Sequence, residues 1–140
     1  MPFRYLPDIA LADIAFEATG VSLPGLFEAA AAALTEVMVD RKSVTARKSR
    51  PIHLVAEDTE RLLYDFLTEL IVIKDVELFL AKAAEVRIDA AGRRLDAKLA
   101  GQVIDRKRNK LRNDVKAVTM HMFGIRKEGK TWKATIVLDI

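Results

Sequence analysis

The chain has 140 residues, 51% of them apolar and 31% charged, with 4 Pro and 6 Gly, which is the composition of one ordinary folded domain over residues 1–140 and not of a disordered chain. It contains no cysteine, which excludes disulfides, thiol nucleophiles and cysteine-ligated zinc or iron–sulfur centres. The formal net charge of +3 is too small to establish nucleic-acid binding, so the distribution of charge matters more than its sum.

The start, Met1-Pro2-Phe3-Arg4-Tyr5, lacks the charged lead and apolar core of a secretion signal, and the longest apolar runs fall short of a membrane span. A cytoplasmic protein with no membrane partner is expected. Asp8 and Asp13 flank Ile9-Ala10-Leu11-Ala12 and precede an alternating strand that contains Ile14 and Phe16. Helical spacing then runs from about Leu23 to Met38, with Leu23, Leu26, Phe27, Ala30, Leu34, Val37 and Met38 on one stripe. Ser22 is the expected N-cap, and Pro24 sits in the first turn, where a missing N–H does no harm.

Residues Ile52 to Ala56 alternate as a strand. A second helix is expected after Asp58, with Leu62, Leu63, Phe66, Leu67, Leu70 and Ile71 buried. Val72 and Ile73 widen that stripe, so its last turn is expected to be enclosed by the sheet. Val86, Ile88 and Ala90 lead through Ala91-Gly92 into Leu95, Ala97 and Leu99, and Glu128-Gly129-Lys130 separates Val115–Arg126 from Thr131–Asp139. These patterns predict two hairpins. The whole reads as an α+β single domain, with a largely antiparallel or mixed sheet of about six or more strands and two main helices packed on one face.

Between Asp105 and Lys116 lie Arg106, Lys107, Arg108, Lys110 and Arg112, a cluster suited to a phosphate-rich or acidic partner. The plainer alternative is a solvated basic loop. A hydrolase triad finds no support, because there is no Cys, no G-x-S-x-G elbow and only two histidines, His53 and His121, both in strand-like segments. Neither glycine-rich phosphate motif is present. Oxygen-rich metal chemistry remains. Leu138-Asp139-Ile140 follows an alternating strand directly, so strand pairing is expected to hold the Asp139 carboxylate beside the α-carboxylate of Ile140. Calcium, magnesium and manganese favour such donors. Read without tertiary structure, the acids near each end are equally compatible with surface solubility groups.

Several segments together resemble the archease family. They are Ala12-Asp13-Ile14-Ala15; Gly20-Val21-Ser22-Leu23 running into Leu26-Phe27-Glu28-Ala29-Ala30; Asp58-Thr59-Glu60-Arg61-Leu62-Leu63 with Leu67-Thr68-Glu69-Leu70; Val115-Lys116-Ala117-Val118-Thr119 with His121; and Leu138-Asp139-Ile140. The likeness spans almost the whole chain in order. It departs near the start, where many members carry Asp-His-Thr-Ala-Asp and this chain has Asp8-Ile9-Ala10-Leu11-Ala12-Asp13, so a role for that histidine does not transfer.

The resemblance implies a non-catalytic activator of the RtcB-type RNA ligase, acting on tRNA splicing or RNA repair by promoting guanylylation and turnover of the ligase and meeting RNA indirectly through it. It further implies a divalent ion, with calcium placed first and manganese or magnesium as alternatives, on Asp13, Asp139 and Ile140. Asp8 is an additional ligand, a neighbour of that site or merely a turn residue, while Lys116 is the activating cation and His121 a supporting residue. Arg106, Arg108 and Arg112 are candidate contacts to the partner or to RNA. Two rival readings are an RNA-binding or chaperone-like module acting on tRNA-processing proteins, and a small metal-dependent hydrolase with His121 as base.

Overall fold

The computed structural model describes residues 2–7 and 13–140. Helix α1 (Leu23–Met38) begins where the sequence predicts: Ser22 is extended, and its Oγ accepts the Gly25 N–H at 3.1 Å. The run Ala29–Ala33 is a strong helix former and packs closely, which lets α1 lie against strands of both sheets described below. The C-terminal end is closed from elsewhere in the chain. Arg112 N–H donates to the Met38 carbonyl at 2.8 Å, Asn113 N–H to Val37 at 3.1 Å, and Arg112 Nη1 to the Glu36 carbonyl at 2.9 Å. α1 has no basic residue in its own last turn, so Arg112 supplies both hydrogen bonds and the positive charge that a helix C-terminus favours.

Helix α2 (Thr59–Glu77) is capped by Asp58, whose Oδ1 accepts the Arg61 N–H at 2.8 Å. Its expected stripe is buried throughout, and Phe66 stacks on Phe27 of α1 with ring centroids 5.9 Å apart. The last turn differs from expectation. Ile73 is buried, but Val72 is 44% and Val76 76% exposed, because at about 100° per residue Val72 and Val76 turn away from the face set by Leu62, Leu63, Phe66, Leu67 and Leu70, whereas Ile73 turns back onto it. The helix ends at Leu78 in the left-handed conformation, φ 55°.

Seven strands are described: β1 (Phe3–Tyr5), β2 (Ile14–Gly20), β3 (Lys48–Val55), β4 (Phe79–Ile88), β5 (Arg94–Val103), β6 (Ala117–Glu128) and β7 (Thr131–Asp139). All pair antiparallel, but in two sheets, ordered β1-β2-β7-β6 and β3-β5-β4. The α+β class, the antiparallel pairing and both hairpins agree with the sequence. Gly92 (φ 71°) and Gly129 (φ 62°) provide the left-handed turn residues of the hairpins. One core cluster joins both helices and the inner faces of both sheets.

Strand β1 is not foreseen, and the bounds of β3, β4 and β6 differ from expectation, β6 running from Ala117 to Glu128 rather than Val115 to Arg126. β1 is too short to show a period. β3 starts at Lys48, ahead of Ile52. β4 starts at Phe79 rather than near Val86, since a register shift between Ala81 and Ala83 and its small alanines break the alternation. Ala90 lies beyond β4, in the turn where Asp89 Oδ1 accepts the N–H groups of Arg93 and Arg94.

Candidate functional site

The register of the four-stranded sheet decides which distant residues become neighbours. β2 and β7 pair from Gly20↔Trp132 to Ile14↔Leu138, so Asp13 stands one residue past the last pair, at the position beside Asp139. On the other side of β7, Ala117 pairs with Asp139, and Lys116 N–H donates to the Asp139 carbonyl at 2.8 Å. β7 thus lies between β2 and β6 and brings Asp139, with Ile140 just after it, between the acid that precedes β2 and the lysine that precedes β6. Asp13, Asp139 and Ile140 are half-buried, whereas Lys116 is exposed. Asp8 lies outside the described residues.

The oxygen groups that the register brings to this strand end are the Asp13 and Asp139 carboxylates and the main chain of Ile140. Such a set suits calcium, magnesium or manganese and not the nitrogen- and sulfur-seeking metals. Among the described residues no three His, Cys, Asp or Glu side chains gather into a metal-ligating group.

Beside Asp13 opens a cavity of about 470 Å³ whose lining includes Tyr5, Glu36, Val37, Arg112 and Asn113. Arg112 Nη1 lies 2.9 Å from Glu36 Oε1, an ion pair that ties this loop to the end of α1. Arg112 therefore acts first as a helix cap. Sequence reading missed Glu36 and Tyr5 because a lone helical acid gives no sign of a cation 76 positions away. The Tyr5 hydroxyl donates to the Ala33 carbonyl at 3.0 Å. Although the residue is 40% exposed, partial burial and then the nearby Glu36 carboxylate push its pKa up from 10.0 to about 12, against weaker opposing effects of Arg112 and Arg41.

The folded protein accordingly holds the Tyr5 proton more tightly than the unfolded chain does. The stability this represents is complete below pH 10 and is lost as the pH rises towards 12. In a phenolate absorbance titration, the difference between wild type and Tyr5→Phe is expected to show a midpoint near 12. A midpoint near the ordinary 10.0 would contradict the burial described here.

The remaining predicted residues sit apart from the acids. His121 is exposed, four positions beyond Ala117, the residue that pairs with Asp139. It belongs to a bulge: Thr119 pairs with Val137 and Gly124 with Thr135, leaving residues 120–123 opposite Ile136, with Met122 at φ 56°. Arg106 and Arg108 are exposed on the loop between β5 and β6. Near Lys116, Lys74 holds Asp114 below the usual carboxylate range, chiefly by a hydrogen bond of 2.8 Å, and Lys116 adds a smaller attraction. No described helix is long and apolar enough to cross a membrane.

The family model described as "Archease protein family (MTH1598/TM1083)" matches residues 3–140. The chain is 40% identical over 133 residues to the protein archease of Thermococcus gammatolerans, covering 92% of this chain and 93% of that one. It is 35% identical over 141 residues to the protein archease of Archaeoglobus fulgidus, covering 100% of each. The solution structure of Methanobacterium thermoautotrophicum protein 1598 superposes with a TM-score of 0.82 at 36% identity over 99% of both chains. A Thermotoga maritima crystal structure described as "an archease, possible chaperone" has the same fold, with a TM-score of 0.68 at 23% identity, covering 94% of this chain and 93% of that one. A model match over nearly the whole length, identity sustained end to end and a shared fold lead to one conclusion: this chain belongs to the archease family.

Proposed function

We propose that this protein activates an RtcB-type RNA ligase in the cytoplasm, that it does so without turnover of its own, and that a divalent ion at the end of the four-stranded sheet takes part. The observation that carries this reading is the register that brings Asp13, Asp139 and Lys116 to one strand end from three separate stretches of sequence. Asp13, Asp139 and the main-chain oxygens of Ile140 would hold the ion. Calcium is the first choice, with manganese or magnesium as alternatives. Asp8 is reserved as a further ligand or neighbour and His121 as a supporting residue.

When bound, the ion supplies positive charge that neutralises and positions phosphate oxygens. Lys116 presents an exposed ammonium at the strand end where its backbone meets Asp139, suited to a phosphate oxygen or a carboxylate of the ligase. Strand pairing on both sides of β7 holds the backbone next to the proposed donors, which supports a site whose assembly costs little entropy on binding. Activation requires tighter binding to the guanylylation-competent ligase than to the resting one, since equal affinity for both shifts no equilibrium.

Ligation of RNA by the cognate ligase, measured under single and multiple turnover with and without this protein, tests the reading. Stimulation is expected, with the larger gain under multiple turnover. Absence of stimulation rejects the proposed role, and turnover of model phosphoesters by the purified protein alone would replace it with a hydrolase.

A further inference from the structure

The sequence shows a basic run from Arg106 to Arg112, but the fold adds a second basic segment to it. The loop after β5 is clasped onto the 3-10 turn Arg41–Ser43 that follows α1. Asn109, 5% exposed, forms the clasp: its Oδ1 accepts the Asp105 N–H at 2.7 Å, and its Nδ2 donates to the Ser43 carbonyl at 2.7 Å. Lys110 N–H donates to Ser43 Oγ at 3.0 Å, and Asp40 N–H donates to the Lys110 carbonyl at 2.9 Å. The loop backbone is therefore fixed, while Arg106, Lys107, Arg108 and Lys110 stay exposed and come close to the exposed Lys42 of the turn.

The acids within these segments are engaged by backbone. Asp40 Oδ1 accepts the Lys42 N–H at 3.1 Å, and Asp105 Oδ1 accepts the Lys107 N–H at 3.0 Å. The remaining Asp105 oxygen is 3.9 Å from Arg108 Nε, a loose pair. Lys82 and Arg41, by contrast, are used internally: the Lys82 ammonium donates to the carbonyls of Arg41 and Val44, and Arg41 Nε donates to the Lys82 carbonyl. Among the described residues, Lys42, Arg106, Lys107 and Lys110 have no carboxylate within ion-pair distance. The patch ends at Arg106, which shares a cleft with Asp75, Lys74 and Asp114. This built loop gathers cations from two segments and uses none of these exposed side chains to hold the fold together, so it presents a concentrated positive surface.

We propose that this face binds the phosphodiester backbone of a nucleic-acid strand through Lys42, Lys107, Arg108 and Lys110, with Arg106 at its border. This holds independently of ligase activation. Neither segment contains an aromatic residue on which a base would stack, so the contact is to phosphate and insensitive to sequence. A lysine-dominated patch without an aromatic anchor also fits a phosphate track better than a protein interface, whose core is depleted in lysine.

The test is fluorescence anisotropy of the full chain with labelled single-stranded RNA and DNA of one mixed sequence, with poly-glutamate as competitor. Three or four phosphate contacts predict a loss of affinity of roughly 20- to 50-fold between about 50 and 200 mM salt. The triple variant Lys42→Ala, Lys107→Ala, Lys110→Ala is expected to lose at least about 10-fold with its melting temperature unchanged. Removing as many charges elsewhere, by Arg87→Ala, Lys98→Ala and Lys130→Ala, should leave affinity within about two-fold. Binding of either strand in this manner supports the proposal, and the ratio between them identifies RNA or DNA as the source of the backbone. No binding, equal losses in both triple variants, or displacement by poly-glutamate as readily as by unlabelled strand would each overturn it.

Discussion

Asp139→Ala and Lys116→Ala are each expected to abolish stimulation of the ligase, but for different reasons that separate measurements resolve. Asp139 is the central donor of the proposed site, on the strand that pairs with both β2 and β6. Its loss should weaken calcium binding, followed by titration calorimetry, by roughly 10- to 100-fold or more, since changes merely adjacent to metal ligands already have effects of that size. Lys116 is exposed, and its side chain makes no ion pair with a carboxylate of the described residues. Replacing it leaves the oxygen donors in place and removes a competing positive charge, so ion affinity should hold or rise while stimulation is lost. The Lys116 N–H bond to the Asp139 carbonyl is a backbone contact that alanine retains. Both variants should melt like wild type. Undiminished stimulation in both would remove the site assignment, even in a protein that stimulates the ligase.

The largest effect on stability is expected from Phe66→Ala. Phe66 is fully buried and stacked on Phe27, at the junction of the two helices. Truncation removes the transfer free energy of the ring and leaves a cavity that rigid neighbours only partly refill, which costs about 3–5 kcal/mol. Total stability for a domain of this size is about 5–15 kcal/mol, so the variant would retain a marginal fold. With a urea m-value of about 2 kcal/mol per molar, the unfolding midpoint should fall by roughly 2 M. Val72, only six residues further along the same helix but 44% exposed, provides the contrast. Val72→Ala should change stability by no more than about 0.5 kcal/mol. A loss below about 1 kcal/mol for Phe66→Ala would mean that the two helices do not meet as described.

Fluorescence and calorimetry on these variants probe a structure much of which was already written in local sequence. Helix α1 was placed from Leu23 to Met38, and its cap at Ser22, because capping and a 3.6-residue period act over a few neighbouring residues. The same holds for the Asp58 cap and the glycine turns of the two hairpins. The limits of local reading lie where short-range pattern gives way to packing. Val72 and Ile73 look alike in sequence, yet a 100° turn of helix sends one to solvent and the other to the core. The first half of β4 was hidden because a bulge interrupts its period.

The sequence by itself determined the capped helices, the hairpins, the α+β class, the absence of thiol chemistry and, through motifs along nearly the full length, the family. It also supplied the acids and the lysine of the candidate site as separate items on a line. Tertiary structure alone decided that the strands divide into two sheets, that Asp13 and Lys116 flank Asp139 across β7, that Arg112 closes α1 through Glu36, and that Lys42 joins the basic loop. The physical reason is range. Caps, turns and amphipathic periods are settled by interactions within a few residues, whereas strand register and loop docking are settled by burying side chains that lie far apart in the chain, and their outcome exists only once the core has formed.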